Sequence, residues 1–144
     1  MLKGIHPLIS PELLMVLAAM GHGDEIAVVD ANFPAESTAR HTVHGVPLRM
    51  DCPAVKAVEA ILTLLPVDTF DGDPVFTMQV VGDAAAIPPV VAEAKPLFDA
   101  EKASMASLER YDFYARAKEC YAVVLTTELR AYGNFIIRKG VIFG

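Results

Sequence analysis

Two clusters of side chains in this sequence have the types and spacing to move protons and grip hydroxyl groups. The first is Gly21-His22-Gly23-Asp24, followed after the aliphatic run Ile26 to Val29 by Asp30. An imidazole titrates near neutrality and gives or takes a proton without a large pKa shift. Glycines on both sides of His22 let the backbone turn sharply and leave the ring uncrowded. Asp30 begins the loop that leaves the run, the place where open α/β sheets hold ligands. The second cluster is Tyr132-Gly133-Asn134. At strand spacing its phenol and amide share one face, and Gly133 lets another group approach the backbone. Arg110 is a further candidate, because a cation in the first turn of a helix opposes the macrodipole and so serves something else. Each of these also has a plain structural reading. His22 can be a turn imidazole bonded to backbone, Asp30 an Asx-turn residue, Tyr132 to Asn134 the start of an aromatic-polar strand, and Arg110 a surface partner of Glu109 or Asp112. Asp24 reads as a turn former.

Other chemistries find no support. His41 and His44 stand close together, but no third Cys, His or carboxylate sits at ligand spacing, so no metal site is expected. No glycine-rich phosphate loop, nucleophile elbow or dinucleotide fingerprint occurs, so no cofactor is expected. Cys52 and Cys120 are far apart and outside metal-binding spacing, which reads as two reduced thiols in a cytoplasmic protein. A formal charge of −6 with scattered Lys and Arg argues against nucleic acid or an anionic membrane as partner and leaves neutral small molecules. No run approaches the ~20 apolar residues that span a bilayer. Gly4, His6 and Pro7 interrupt the N-terminal stretch, so no export signal is read.

The elements that must carry these groups follow from periodicity. Ile26 to Val29 is unbroken, mostly β-branched and bounded by turn formers, which predicts a central strand covered on both faces. Before it, Ser10-Pro11-Glu12 opens a helix, with Ser10 as cap, Ile9 and Leu14 as a hydrophobic staple, and Gly21 as C-terminal cap. Leu13, Leu14, Val16, Leu17 and Met20 predict burial of this helix on more than one side. Beyond the loop at Asn32-Phe33-Pro34, one or two short strands are expected within Arg40 to Leu48. A helix capped by Asp51 then runs to about Leu65. Pro74 to Val81 reads as a strand with a turn at Gly82-Asp83. A helix over Val90 to Lys102 is broken or kinked by Pro96. Leu108 to Cys120 reads as a helix, Tyr121 to Leu125 as a strand, Thr127-Glu128 as a turn, and Tyr132 to Ile137 as the last strand. The short connections give one layered α/β domain over residues 1–144. With 53% hydrophobic and 21% charged residues, the apolar surplus calls for burial against other chains. Oligomerisation also bears on the site. An extended segment from His22 to Asp30 spans up to ~26 Å, about twice what a small ligand and two side chains bridge, so the site is expected to be shared between subunits.

Taken together the motifs resemble the fucose mutarotase and ribose pyranase family. The likeness is carried by Leu2-Lys3-Gly4-Ile5, Ser10-Pro11-Glu12-Leu13-Leu14, Met20-Gly21-His22-Gly23-Asp24-Glu25-Ile26, Asp30-Ala31-Asn32-Phe33-Pro34, Phe113-Tyr114, Arg116-Ala117, Tyr132-Gly133-Asn134 and Lys139-Gly140. The Gly-His-Gly-Asp form and the segment from Arg110 to Tyr114 look more like the fucose branch than the ribose branch, which usually has Thr after the His. The stretch from Asp83 to Ser107 matches the family poorly. The resemblance implies a three-layer α/β/α sandwich with a mixed central sheet, assembled as a ring-shaped homo-oligomer, a decamer, that interconverts the anomers of a free monosaccharide such as L-fucose. It implies His22 as proton donor, Asp30, Arg110, Tyr132 and Asn134 as sugar-binding groups, and Gly133 contributing its backbone. Three rivals stand beside it. A non-catalytic sugar-binding oligomer would keep the binding groups and have no need of the imidazole. A ribose pyranase would exchange pyranose and furanose forms. An aldose–ketose isomerase would need a base at C2 and usually a metal, for which no candidates are found.

Overall fold

The computed structural model describes residues 1–144, and its centre is a six-stranded sheet in the order β2-β5-β1-β6-β3-β4. The strands are β1 (Glu25–Val29), β2 (Leu48–Arg49), β3 (Val75–Met78), β4 (Met105–Leu108), β5 (Ala122–Leu125) and β6 (Phe135–Arg138). Only β6 runs against its neighbours, pairing antiparallel with β1 and β3, while β1–β5, β2–β5 and β3–β4 are parallel. Because β6 is reversed, its first residues lie at the edge where β1, β3, β4 and β5 end. Its last residues lie at the opposite edge, with Arg138 beside Glu25.

Side chains alternate across β1, so Ile26 and Val28 belong to a core of 26 buried residues, whereas Ala27 and Val29 belong to a second core of 11. The larger core takes the buried faces of α1 (Pro11–Ala19), α3 (Ala54–Leu62) and α4 (Pro89–Ala100). The smaller takes α2 (Ala35–Ala39) and α5 (Arg110–Lys118). This is the expected three-layer α/β/α arrangement with a mixed sheet, and β1 is covered on both faces as its sequence requires.

Several local expectations hold and several are corrected. Ser10 caps α1, its hydroxyl accepting the Leu13 N–H at 3.1 Å, with Pro11 in the first turn. The helix ends without a left-handed glycine at Gly21. Its last carbonyls are satisfied instead by the Lys139 ammonium, which donates to Leu17 and Met20. Within one chain α1 buries a single face, and Met15 stays 56% exposed. Asp51 caps nothing, since α3 starts after Pro53 with no side-chain cap. The stretch from Arg40 to Leu48 forms turns, with only Leu48–Arg49 as strand, and α2 occupies residues read as loop. The helix α4 runs through Pro96 rather than breaking there. Ala92, whose carbonyl loses its donor, and Pro96 are both exposed, so water can serve the freed acceptor. Edge strand β4 lies in a segment read as connection and helix start, because Met105-Ala106-Ser107-Leu108 carries little β-branched character.

Candidate active site

The topology gathers Asp30, Arg110, Tyr132 and Asn134 at the edge where the parallel strands end, and it leaves His22 at the other edge. Asp30 follows β1 directly, Arg110 opens α5 just after β4, and Asn134 immediately precedes β6. With Phe33 and Met78 these four line a cleft of 190 Å³. Asn134, 3% exposed, accepts the Asp30 backbone N–H on Oδ1 at 2.9 Å, and its amide nitrogen lies 3.8 Å from the Met78 sulfur. The Asp30 carboxylate accepts the Asn32 N–H at 3.1 Å. Burial nonetheless pushes its pKa above the ordinary carboxylate value, against the hydrogen bonds from Asn32, Asn134, Phe33 and Gly133 that pull it down.

Arg110 makes neither of the ion pairs considered from the sequence. Glu109 instead caps α5, accepting the Tyr111 and Asp112 N–H groups at 2.9 and 3.2 Å. The guanidinium stacks on the Tyr111 ring at 4.8 Å and donates to its hydroxyl, while Nε is buried without any partner. An orphaned buried donor is costly, so its presence beside a polar cleft marks a place for an acceptor from outside the chain.

Tyr132 is not on a strand. It sits in the turn before β6 with φ +63°, a left-handed conformation that costs a side chain of this size about 1–3 kcal/mol. The phenol and amide therefore converge through a strained turn and not through strand alternation. The Tyr132 hydroxyl accepts the Val81 N–H at 3.1 Å. Beneath the turn lies Glu128, 4% exposed, whose carboxylate accepts the Arg130 guanidinium at 3.0 and 3.1 Å and the Arg130 N–H at 3.2 Å. Arg130 also reaches Glu93 of α4 at 2.7 Å. A Cβ on Gly133 would meet Glu128 Cγ at 2.9 Å, so glycine is required there by packing. The same loop is tied to the end of β1, where the Thr126 hydroxyl donates to the Val29 carbonyl at 2.8 Å and the Ala31 N–H to the Glu128 carbonyl at 2.8 Å.

At the opposite edge His22 occupies a turn held on two sides. The Gly23 N–H donates to the Lys139 carbonyl at 2.9 Å, the Lys139 N–H returns a bond to Asp24 at 2.8 Å, and Asp24 Oδ2 accepts the Gly21 N–H at 2.7 Å. The ring is 53% exposed, and its Nε2 lies 3.3 Å from Oδ2 of Asp68. Asp68 is buried and also accepts Arg138 Nε at 3.0 Å and the Phe70 N–H at 3.1 Å. Burial pushes the Asp68 carboxyl up, but the Phe70 amide, Arg138 and His22 together hold it below the ordinary carboxylate value.

A larger cavity of 450 Å³ lies between α4, β3 and β4. Its wall is mostly apolar, and its charged rim, Lys95 and Asp99, is paired within itself at 2.7 Å. Unlike the cleft at Asp30, it presents no unpaired buried donor to a hydroxylated ligand.

A family model described as the RbsD / FucU transport protein family matches residues 3–142. A relative from Haemophilus influenzae named L-fucose mutarotase is 44% identical over 146 residues, covering 98% of this chain and 97% of that protein. The chain belongs to the RbsD / FucU family. Among solved structures, a fucose mutarotase from Streptococcus pneumoniae in complex with L-fucose superposes with TM-score 0.88 at 36% identity, covering 99% of this chain and 100% of that one. FucU from Bifidobacterium longum superposes with TM-score 0.86 at 40% identity, covering 98% and 100%. The fold and family expectations are thus met. Within this RbsD / FucU chain the sequence reading missed Asp68, Glu128 and Lys139 as supports of the candidate site. Asp68 and Lys139 meet the His22 turn only through the pairing of β6 and the residues around Val67. Glu128-Leu129-Arg130, a turn carrying an acid and a base, was the only local signal of the three.

Proposed function

We propose that this protein is an isomerase that interconverts the α and β anomers of L-fucose, an L-fucose mutarotase. The reading rests on the unpaired Arg110 Nε beside a cleft that also holds Asp30, Tyr132 and Asn134, in a chain similar along its whole length to a relative of that name. Guanidinium, carboxylate and amide suit the vicinal hydroxyls of a sugar through paired hydrogen bonds. Gly133 adds backbone groups that a larger residue would displace. Ring opening requires a proton taken from the anomeric hydroxyl and one delivered to the ring oxygen, followed by closure on the other face of the carbonyl. His22 is assigned that proton transfer, worth about 10²–10⁴-fold for a positioned acid-base group.

One chain does not bring His22 to its own cleft, because β1 separates them, five residues at ~3.3 Å each. The site therefore comprises the cleft of one subunit and the His22 turn of the next. The cleft's 190 Å³ supports this, being smaller than the ~300 Å³ at which small-molecule pockets begin. Exposed Phe70, Ile142 and Phe143, with the two rings packed edge to face at 5.9 Å, give the edge bearing Asp68 an apolar surface for a partner. Two different edges in contact make a heterologous interface, which builds a ring where its rotation closes. The assembly is assigned as a homo-oligomeric ring, a decamer, of single-domain subunits spanning residues 1–144.

Saturation-transfer NMR between the two anomeric protons of L-fucose tests the activity. Transfer accelerated by the protein, and lost in His22→Ala while sugar binding persists, is the expected result. Binding without acceleration in the wild type would leave a sugar-binding module instead.

A further inference from the structure

We propose that Tyr111 is the positioning residue of Arg110, holding its guanidinium by face and edge so that the buried Nε–H is kept free for a sugar oxygen. The inference rests on the reading of the cleft at Asp30 as the L-fucose site. Arg110 and Tyr111 are the first two residues of α5. Successive residues point about 100° apart around a helix, so helix geometry alone does not bring this ring and this cation together. They meet nonetheless. Arg110 Cζ lies 4.8 Å from the centre of the Tyr111 ring, and Nη2 donates to the Tyr111 hydroxyl at 3.1 Å. Glu109, the adjacent acid, spends Oε2 on the Tyr111 and Asp112 N–H groups instead. A phenol holds a guanidinium without neutralising it, which leaves the charge for an uncharged, hydroxylated ligand.

The exposure of Tyr111 calls for a reason. At 65% exposed the ring adds little to the core, and what it touches is Arg110 on one side and Tyr114 on the other, with ring centres 6.1 Å apart at 76°. Tyr114 packs edge to face on Phe33 at 5.3 Å, and Phe33 on the fully buried Phe113 at 6.0 Å. A ladder of rings thus ties Tyr111 to the smaller core, and Arg110 leans on its free end. Because a guanidinium is planar and rigid, fixing Nη2 and one face also fixes the direction of Nε–H. On its other side Arg110 borders a second hollow, of 360 Å³, along Gln79 to Ala84 and Glu109. That is the space into which an unheld guanidinium swings, away from Asp30 and Asn134. The sugar would then have to order the long side chain itself, at a cost in affinity.

A double-mutant cycle on L-fucose affinity, measured by ligand-observed NMR on the assembled protein, tests this. Tyr111→Phe keeps the ring and loses the hydroxyl, and Kd should rise about three- to fivefold; Tyr111→Ala loses both, and Kd should rise about tenfold. In an Arg110→Met background, which has no guanidinium to hold, the same substitutions should change Kd less than about twofold. Equal losses in both backgrounds mean that Tyr111 meets the sugar or a neighbouring subunit itself, and they overturn the proposal, as does a wild-type Kd in Tyr111→Ala. A second readout needs no sugar: the N–H dipolar order of Arg110 Nε in sedimented, ¹⁵N-arginine-labelled protein, its signal identified as the one missing from Arg110→Met. The order parameter should fall from about 0.85 in the wild type to below about 0.6 in Tyr111→Ala, and an unchanged value overturns the proposal. Failure of the underlying reading is seen separately, as wild-type protein that does not bind L-fucose, whatever the order of Arg110.

Discussion

Replacing Gly133 with alanine tests how the turn before β6 is built. The new Cβ would lie 2.9 Å from Glu128 Cγ, 3.4 Å from Val90 Cγ1 and 3.6 Å from the Arg130 carbonyl. Only the first contact is untenable, and it needs about 0.5 Å of relief to reach an ordinary Cβ contact near 3.4 Å. Glu128 cannot yield freely, because its two carboxylate oxygens accept three bonds from Arg130. Overpacking of this kind costs about 1–3 kcal/mol, and weakening a charge-assisted bond adds to it, so a loss near 2 kcal/mol is expected, read as a lower urea midpoint at unchanged slope. L-fucose affinity should fall as well, since Tyr132 and Asn134 flank the displaced residue. The cause is separable by a double-mutant cycle. In a Glu128→Ala background the clashing Cγ is gone, and Gly133→Ala should then cost under about 0.5 kcal/mol. An equal cost in both backgrounds would refute the packing argument.

At Gly140 the obstruction is backbone, with the Val67 carbonyl oxygen 2.7 Å and Asp68 Cα 2.9 Å from a built Cβ. Gly140→Ala should therefore destabilise more than Gly133→Ala in the same urea assay, and it should also lower exchange by moving Asp68 under His22. Acid sensitivity follows from the carboxylates. Asp68 and Glu128 are held below their ordinary values, 3.8 and 4.5, so their contribution is complete above those values and is lost as pH falls through the folded ones. Asp30, raised, acts oppositely, its contribution being complete in acid and lost as pH rises through its folded value. The urea midpoint should thus drop on acidification from about pH 5, and Glu128→Gln should flatten that drop; an unchanged acid limb would count against it. No group of three or more His, Cys, Asp or Glu side chains converges to hold a metal, so exchange should be indifferent to chelator. Loss on chelation, restored by one divalent ion, would contradict this.

What the sequence made legible was whatever depends on neighbours in the chain. The unbroken aliphatic run names β1, Ser10-Pro11-Glu12 names the start of α1, and a carboxylate at the end of a buried strand names Asp30 as a candidate. Arg110 drew attention because a cation is misplaced in a first turn, and the structure leaves its Nε unpaired. Failures arose where tertiary contacts override local rules. Gly21 resembles a helix cap, but Lys139 does that work from just beyond the end of β6. Tyr132-Gly133-Asn134 reads as alternating strand because its residue types fit one, and the acid–base turn at Glu128 and Arg130 just before it does not announce a left-handed Tyr132. The partnership of His22 with Asp68 was out of reach, since it forms only after β6 carries Arg138 and Lys139 back to the start of β1.

The central claim is that a site is made by the His22 turn of one subunit and the Asp30–Asn134 cleft of the next. Complementation tests it most directly. Inactive His22→Ala and inactive Asn134→Ala chains are co-refolded in equal amounts, and L-fucose anomer exchange is measured by saturation transfer. In a ring with random order, half of the turns carry His22 and half of the clefts carry Asn134, so about a quarter of the sites are intact, and about a quarter of wild-type exchange should return. If every group of a site came from one chain, each site would keep one defect, and the mixture would stay as inactive as its parts.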